Sequence, residues 1–295
     1  MRYSYKLIRA IKQFFIHLKF LCYDWTLPMI EVAIIFTLCC GELMGIIDVS
    51  QLLGKYLPLR INFNDQLPQS FQIVINCAMT LIIALLLIWG FNNKYKGGYR
   101  LNHTNRYHIE KYWEYWVCSK ILGIRRCELK LVPIPIQYKL LFDDTFSDFV
   151  LPDGIEQVPE PQMIHMECFG ECIDKCNNCN LIIADTYSIR RSQLPDECKN
   201  YYSVLIYSSS IGPVRYYNPD LVHKIRDVIH HLPLHISTLH IFATTNPVNN
   251  FYIVKTALNT GGRDHLEKIM VYFQSSSENR DFQHGMEVYK RRESL

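Results

Sequence analysis

The sequence predicts two N-terminal transmembrane α-helices followed by a cytoplasmic α/β domain built on a parallel sheet. Three observations carry this reading. Two apolar runs, Leu27 to Ile47 and Phe71 to Phe91, each match the ~20 residues a helix needs to cross hydrocarbon. Lysines and arginines crowd the outer flanks of both runs and are sparse between them. Beyond Cys179, short apolar strands alternate with helical patterns, the order expected of a parallel sheet with covering helices.

Composition narrows the function classes. The chain has 295 residues and a formal net charge of +3. Acidic residues interleave with basic ones in the soluble part, so no dense basic stripe marks a duplex nucleic-acid partner. Neither apolar run resembles a cleavable signal peptide, being too long and lacking a small-residue cleavage site. The 11 cysteines do not form a secreted disulfide pattern. Cys39, Cys40 and Cys77 fall in the apolar runs, and most others in a domain expected to stay reduced.

Element by element, residues 1–26 carry Leu7, Ile8, Ile11, Phe14, Phe15, Leu18 and Leu21 at helical spacing among lysines and arginines. This is the pattern of a basic amphipathic helix on the inner leaflet, or of a solvated extension of the first span. Residues 27–91 form the two-helix membrane module. Arg2, Lys6, Arg9, Lys12 and Lys19 precede it, and Lys94, Lys96, Arg100, Arg106 and Lys111 follow it. Both termini are therefore expected in the cytoplasm, with the 48–70 loop outside and Trp25 and Trp89 as interfacial anchors. In the first span Ala33, Thr37, Gly41 and Gly45 repeat every four residues, a ridge that lets helix backbones approach closely. Glu31 and Glu42 project from nearly one face. A carboxylate there costs roughly 2.5–3.5 kcal/mol, so Glu31 is expected to reach the interface. Glu42, deeper, is expected at a helix contact or a water-lined path. Asn76 and Thr80 add a short polar stripe to the second span.

Residues 92–130, basic and aromatic, are predicted as a juxtamembrane linker helix, and 131–295 as the cytoplasmic soluble domain. Pro133, Pro135, Pro152, Pro159 and Pro161 point to short strands and turns. Strands are expected at Leu181 to Ala184, Tyr202 to Tyr207, Leu239 to Ala243 and Ile269 to Phe273. One helix is capped by Asn218 and begun by Pro219; a second opens at Pro247 and runs to Asn259. Ligands of open parallel sheets bind beyond the carboxyl ends of the strands. Those ends carry Ser208, Ser209, Ser210, Gly212 and Arg215, then Thr244, Thr245, Asn246, Asn249 and Asn250. Hydroxyls, amides, one cation and the helix start at Pro247 suit phosphates, sugars and bases. The same residue types serve equally as turn and cap residues. No Walker loop, dinucleotide-binding glycine fingerprint or nucleophile-elbow serine is present, and no catalytic residues are assigned. His240 is expected to pack within its strand, and His230 and His231 to face solvent.

Cys168, Cys172, Cys176 and Cys179 fall within twelve residues and end in a Cys-x-x-Cys pair. Four thiolates so placed invite a structural zinc, although the spacing departs from two-knuckle sites; buried or incidental thiols give the same pattern. No other cofactor is required.

The stretch Leu239 to Leu258, preceded by Tyr202 to Gly212 and the 219–232 helix, resembles the second half of SAVED domains. These are Rossmann-like, CARF-related sensors of cyclic oligonucleotides in bacterial anti-phage signalling (CBASS). With two spans ahead of it, the chain looks like the two-transmembrane SAVED effectors. That resemblance implies two Rossmann-like halves, with residues 128–185 supplying a reduced first half. It also implies a cyclic di- or trinucleotide ligand, a homo-oligomer, inner-membrane lipid as partner, and disruption of the bacterial inner membrane. A membrane-tethered nucleotide hydrolase and a non-catalytic scaffold subunit are the alternatives.

Overall fold

A chain surrounded by hydrocarbon must satisfy its backbone polar groups internally, which the helix does. A computed structural model describes residues 22–43, 69–152, 154–158, 162–170, 176–208, 216–259, 265–275 and 279–291. Helix α1 spans Leu27–Leu43, entered through a π-helical turn at Cys22–Thr26, and α2 spans Gln69–Lys96. The segment 1–21 and Gly45 lie outside the described residues. Glu42 and Asn76 fall in α1 and α2, with their side chains outside that set. The chain packs as two units, Met1–Thr104 with Trp116–Arg126, and Asn105–Tyr115 with Cys127–Leu295.

In the first unit Ile35, Leu38 and Cys39 of α1 line a seam with Thr80, Ile83, Ala84 and Leu87 of α2. Ile30, Ile34, Phe36, Leu81, Leu85 and Leu86 are exposed, as lipid-facing side chains are. Ala33 and Thr37 of the small-residue ridge are exposed too, outside the seam, whereas Gly41 is buried. Glu31 is buried, not turned to water. It accepts a hydrogen bond from the Tyr95 hydroxyl at 2.6 Å and forms an ion pair with Lys94, so α2 itself supplies the partners a carboxylate in a span requires. Trp25 is also buried, and only Trp89 of the two expected anchors is exposed.

The stretch 92–130 is not one helix. Helix α2 stops at Lys96, where Gly97 and Gly98 follow, and Gly98 adopts a φ of +132°. A short helix α3 (Tyr112–Lys120) ends before Gly123, whose φ is +70°. A Cβ there would overlap the Asn92 side chain. The prolines at 133 and 135 also misled the reading of turns. They begin helix α4 (Ile134–Phe142), where a missing N–H in the first turn costs nothing.

The second unit holds a six-stranded sheet. Its strands are β1 (Ile164–Phe169), β2 (Asn178–Ala184), β3 (Tyr202–Ser208), β4 (Thr238–Ala243), β5 (Lys268–Gln274) and β6 (Phe282–Lys290). Their spatial order is β1-β3-β2-β4-β5-β6. Strands β2 to β5 run parallel, with Leu181 beside both Val204 and Ile241. The edge strands β1 and β6 are antiparallel. Helix α5 (Pro219–His230) buries Leu221, Val222, Ile225 and Ile229. Helix α6 (Pro247–Tyr252) continues as a π-helix over Ile253–Leu258. The opposite face of the sheet, including Ile182, Ala184, Phe242, Tyr272 and Phe282, packs against Ile189, Leu194 and Cys198 of the β2–β3 crossover. Among the described residues, 128–185 contribute helix α4, the strands β1 and β2 of this sheet, and Asp148–Val150 of a separate three-stranded sheet.

His230 and His231 are exposed and His240 is buried in β4, as expected. The His240 ring lies 2.9 Å from the Tyr272 hydroxyl through Nδ1 and 3.2 Å from Asn178 Oδ1 through Nε2. The Cys198 thiol in turn donates to the Tyr272 hydroxyl at 3.4 Å. Burial, with a smaller push from the Lys268 charge, lowers His240 to about 4. In the unfolded chain it titrates near 6.5. Between those values the unfolded state binds the extra proton, so the stability held above pH 6.5 is lost as pH falls toward 4. The predicted loss from this residue is about 3 kcal/mol. Denaturant midpoints of the α/β unit, measured from pH 7 to pH 4, should fall less steeply in His240→Gln than in the wild type.

Candidate functional site

The order of the parallel strands locates the site. The chain passes from β2 to β3 on one side, then crosses β2 to place β4 on the other. Such a reversal opens a crevice at the carboxyl ends of the two central strands, here after Ala184 of β2 and Ala243 of β4. Asp185 and Thr186 follow the first, and Thr244 to Asn250 the second.

Asn246 caps α6 because its short side chain turns back on the helix it precedes. Its Oδ1 accepts from Val248 N and Asn249 N, both at 3.0 Å. Its Nδ2 donates to the Tyr216 carbonyl at 2.7 Å. Asn249, on the first turn of α6, donates from Nδ2 to Asp185 Oδ2 at 2.8 Å and to the same Tyr216 carbonyl at 3.2 Å. Its Oδ1 accepts from Asn218 N at 2.9 Å. Asn218 caps α5 through Leu221 N at 3.0 Å and donates to Gln162 Oε1 at 3.0 Å. The Ser208 hydroxyl donates to that same Gln162 oxygen. Deeper in, Thr245 donates to Asn250, whose Nδ2 donates to Gln137 Oε1 at 2.9 Å. Thr244 donates to the Tyr187 carbonyl at 2.9 Å.

Ser208, Thr244, Thr245, Asn246, Asn249 and Asn250 are therefore brought together at one edge, all buried and all bonded to protein. Ser209, Ser210, Gly212 and Arg215 lie outside the described residues. The N–H groups at the start of α6, expected to face an anion, are already taken by Asn246. What stands nearer the surface was not singled out from sequence: Asp185, Thr186, Tyr216 and Tyr217 are half-buried. Tyr217 packs against Tyr252 with ring centroids 4.4 Å apart. Burial raises the Asp185 carboxyl, against the lowering effect of its bonds from Asn249 and the Asn246 backbone. The signal for Asp185 was its place directly after an apolar strand; Gln137 and Gln162 gave none.

In the cysteine cluster Cys168 is exposed on β1, while Cys176 and Cys179 are buried. Cys172 lies outside the described residues. Burial, with the neighbouring Cys168 and Cys176, pushes the Cys179 thiol up to about 12. Among the described residues, no group of three or more His, Cys, Asp or Glu side chains is placed to hold a metal ion.

The family model of the SMODS- and Ubiquitin system-associated 2TM effector domain matches residues 6–287, and the chain belongs to that family. No curated protein matches the chain. Among solved structures, it is similar to the Acinetobacter baumannii Cap4 SAVED/CARF-domain containing receptor with the cyclic trinucleotide 3'3'3'-cAAA. Identity is 10% and the TM-score 0.41, over 60% of this chain and 42% of that one. The same receptor with 2'3'3'-cAAA gives 12% identity and a TM-score of 0.40, again over 60% and 42%. The chain thus spans less than half the length of those receptors.

Asn249→Ala removes the donor to Asp185 and Tyr216 and the acceptor for Asn218 at once. Leaving these groups without their partner is predicted to lower unfolding stability by about 3 kcal/mol. Urea or thermal unfolding of the α/β unit checks this, and Arg226→Ala, at an exposed position of α5, should leave stability within about 0.5 kcal/mol of wild type.

Proposed function

We propose that this 2TM effector-family protein binds a cyclic di- or trinucleotide at the carboxyl-end edge of its sheet, associates with further copies, and disrupts the bacterial inner membrane in anti-phage defence. The observation that carries the reading is the strand reversal between β2 and β4. It sets a crevice where a buried amide network fixes both the chain entering α5 and the start of α6. Since Thr244 to Asn250 are consumed within that network, their role is to position the edge. Contact with phosphate falls to Arg215 and the segment 208–212, and Asp185 and Thr186 offer polar groups for a sugar or base. A ligand drives association only by binding the associated form more tightly. The exposed Ala33 and Thr37 on α1 suit close approach of a helix from a second copy. With positive-inside flanks, the domain and both termini lie in the cytoplasm. The chain acts through assembly in the lipid, not through turnover of its ligand.

The test uses the full chain in dye-loaded liposomes titrated with a panel of cyclic di- and trinucleotides. Release should appear with a member of the panel and not with linear nucleotides. Arg215→Ala should weaken binding about 10- to 100-fold, the loss of one charge-assisted hydrogen bond. Ala33→Leu should diminish release while leaving ligand affinity unchanged. Hydrolysis of the bound cyclic nucleotide would favour a membrane-tethered hydrolase instead. Binding by no member of the panel would remove the sensor reading.

A further inference from the structure

The segment 105–115 is built inside out for a protein in water. From Tyr107 to Lys111, just before α3 begins, exposed and buried side chains alternate residue by residue. The inward positions are polar: His108 is 1% exposed and Glu110 9%, with His108 Nδ1 3.5 Å from Glu110 Oε2. The outward positions are apolar: Tyr107 is 58% exposed and Ile109 74%. On the first turn of α3, Trp113 continues the pattern at 55% exposed, while Tyr115 is wholly buried. A soluble surface places these groups the other way round. The His108 backbone N–H donates to the Leu131 carbonyl at 3.1 Å, so the alternation is pinned to the unit and not free to flip.

Among the described residues outside α1 and α2, the exposed large apolar side chains are Tyr107, Ile109, Trp113, Trp116, Met163, Met166 and Leu234. Three of these seven, Tyr107, Ile109 and Trp113, fall in this one short stretch. Charge points the same way. Within the segment Lys111 is exposed and Arg106 half-buried, whereas the acidic Glu110 is buried and Glu114 half-buried. Tyrosine and tryptophan beside lysine is the chemistry of the headgroup zone, where an amphipathic ring finds both an apolar and a wet side. The chain also limits the distance. Ten residues separate Lys96, the end of α2, from Tyr107, a reach of at most about 38 Å.

We infer that Tyr107, Ile109 and Trp113, with Lys111 among them, form a lipid-contacting patch that seats this segment in the anionic headgroup zone of the leaflet from which α2 emerges. The patch adds a second attachment beyond the spans. It rests on the family's two membrane helices and not on nucleotide sensing, so the two stand or fall separately. A basic surface suits anionic lipid, each nearby lysine or arginine adding about 1 kcal/mol. It suits a second copy poorly, because two identical positive patches would face each other.

The experiment is depth-dependent quenching in the full chain. The protein has four tryptophans; Trp25→Phe, Trp89→Phe and Trp116→Phe together leave Trp113 alone. The variant is reconstituted in phosphatidylethanolamine–phosphatidylglycerol liposomes without any nucleotide. Lipid brominated near the headgroup end of its acyl chains should lower Trp113 emission about twofold, and aqueous iodide should quench it little. Should the triple variant not fold, the difference between wild type and Trp113→Phe gives the same reading. Iodide quenching with no effect of brominated lipid would place Trp113 in water and overturn the inference. Protection from both quenchers that disappears on diluting the protein in lipid would overturn it too, assigning the patch to a second copy.

Discussion

The carboxamide of Asn249 is the joint on which the rest of the α/β unit depends. A parallel sheet ends in chain that leaves each strand in its own direction; a backbone bond from Thr186 N–H to the Thr244 carbonyl joins the ends of β2 and β4, but does not reach the start of α5. Asn249 does so with one side chain, holding the carboxylate after β2, the carbonyl before α5 and the amide of the α5 cap. A neutral amide suits this position because it donates twice and accepts twice. A carboxylate would accept only and would face Asp185. Asn218, Asn246 and Asn249 are buried, and each is bonded through both its amide oxygen and its amide nitrogen, the condition under which polar groups in an interior specify one arrangement instead of costing stability.

The two units solve opposite solvent problems with the same rule. In lipid the expensive group is a charge, and Glu31 is supplied with Lys94 and Tyr95 from the neighbouring helix. In the α/β unit the expensive groups are backbone and amide dipoles at strand ends, and asparagines satisfy them. His240 is the counterpart in the sheet: held neutral between Tyr272 and Asn178, it is compatible with burial only because neither ring nitrogen is left without a partner.

The legible parts of the fold were those where period and punctuation agree. The apolar runs of α1 and α2, the four parallel strands and the Asn218–Pro219 and Asn246–Pro247 starts all matched, because burial on both faces leaves an unbroken apolar run and capping has strict residue preferences. The edge strands β1 and β6 escaped. Ile164–Phe169 is half exposed, and Phe282–Lys290 spreads Phe282, Met286 and Val288 among Gln283, His284, Gly285, Glu287 and Lys290, so neither shows a continuous apolar run. Prolines at 133 and 135 have the same signature in a turn as at a helix start, and the helix shows only in the burial of the residues that follow. The burial of Glu31 has no local signal, because its partners lie more than sixty residues away.

The site was legible as a place but not as a set of roles. Asparagine and threonine after a strand mean either a ligand or a cap, and the choice turns on whether their hydrogen-bonding capacity is already spent. Here Asn246 spends its oxygen on Val248 and Asn249 and its nitrogen on Tyr216. A phosphate brought to the start of α6 would have to displace that oxygen, exchanging two made bonds for two new ones with little net gain. Under the proposed function, recognition of an anion would then fall to the β3–α5 connection and not to α6. The asparagines keep Tyr216, the far end of that connection, in register with the crevice. Binding there would act on α5 through Asn218 and on β2 through Asp185, both of which meet at Asn249. A ligand that moved one would be felt by the other, because a packed interior passes on small displacements instead of absorbing them.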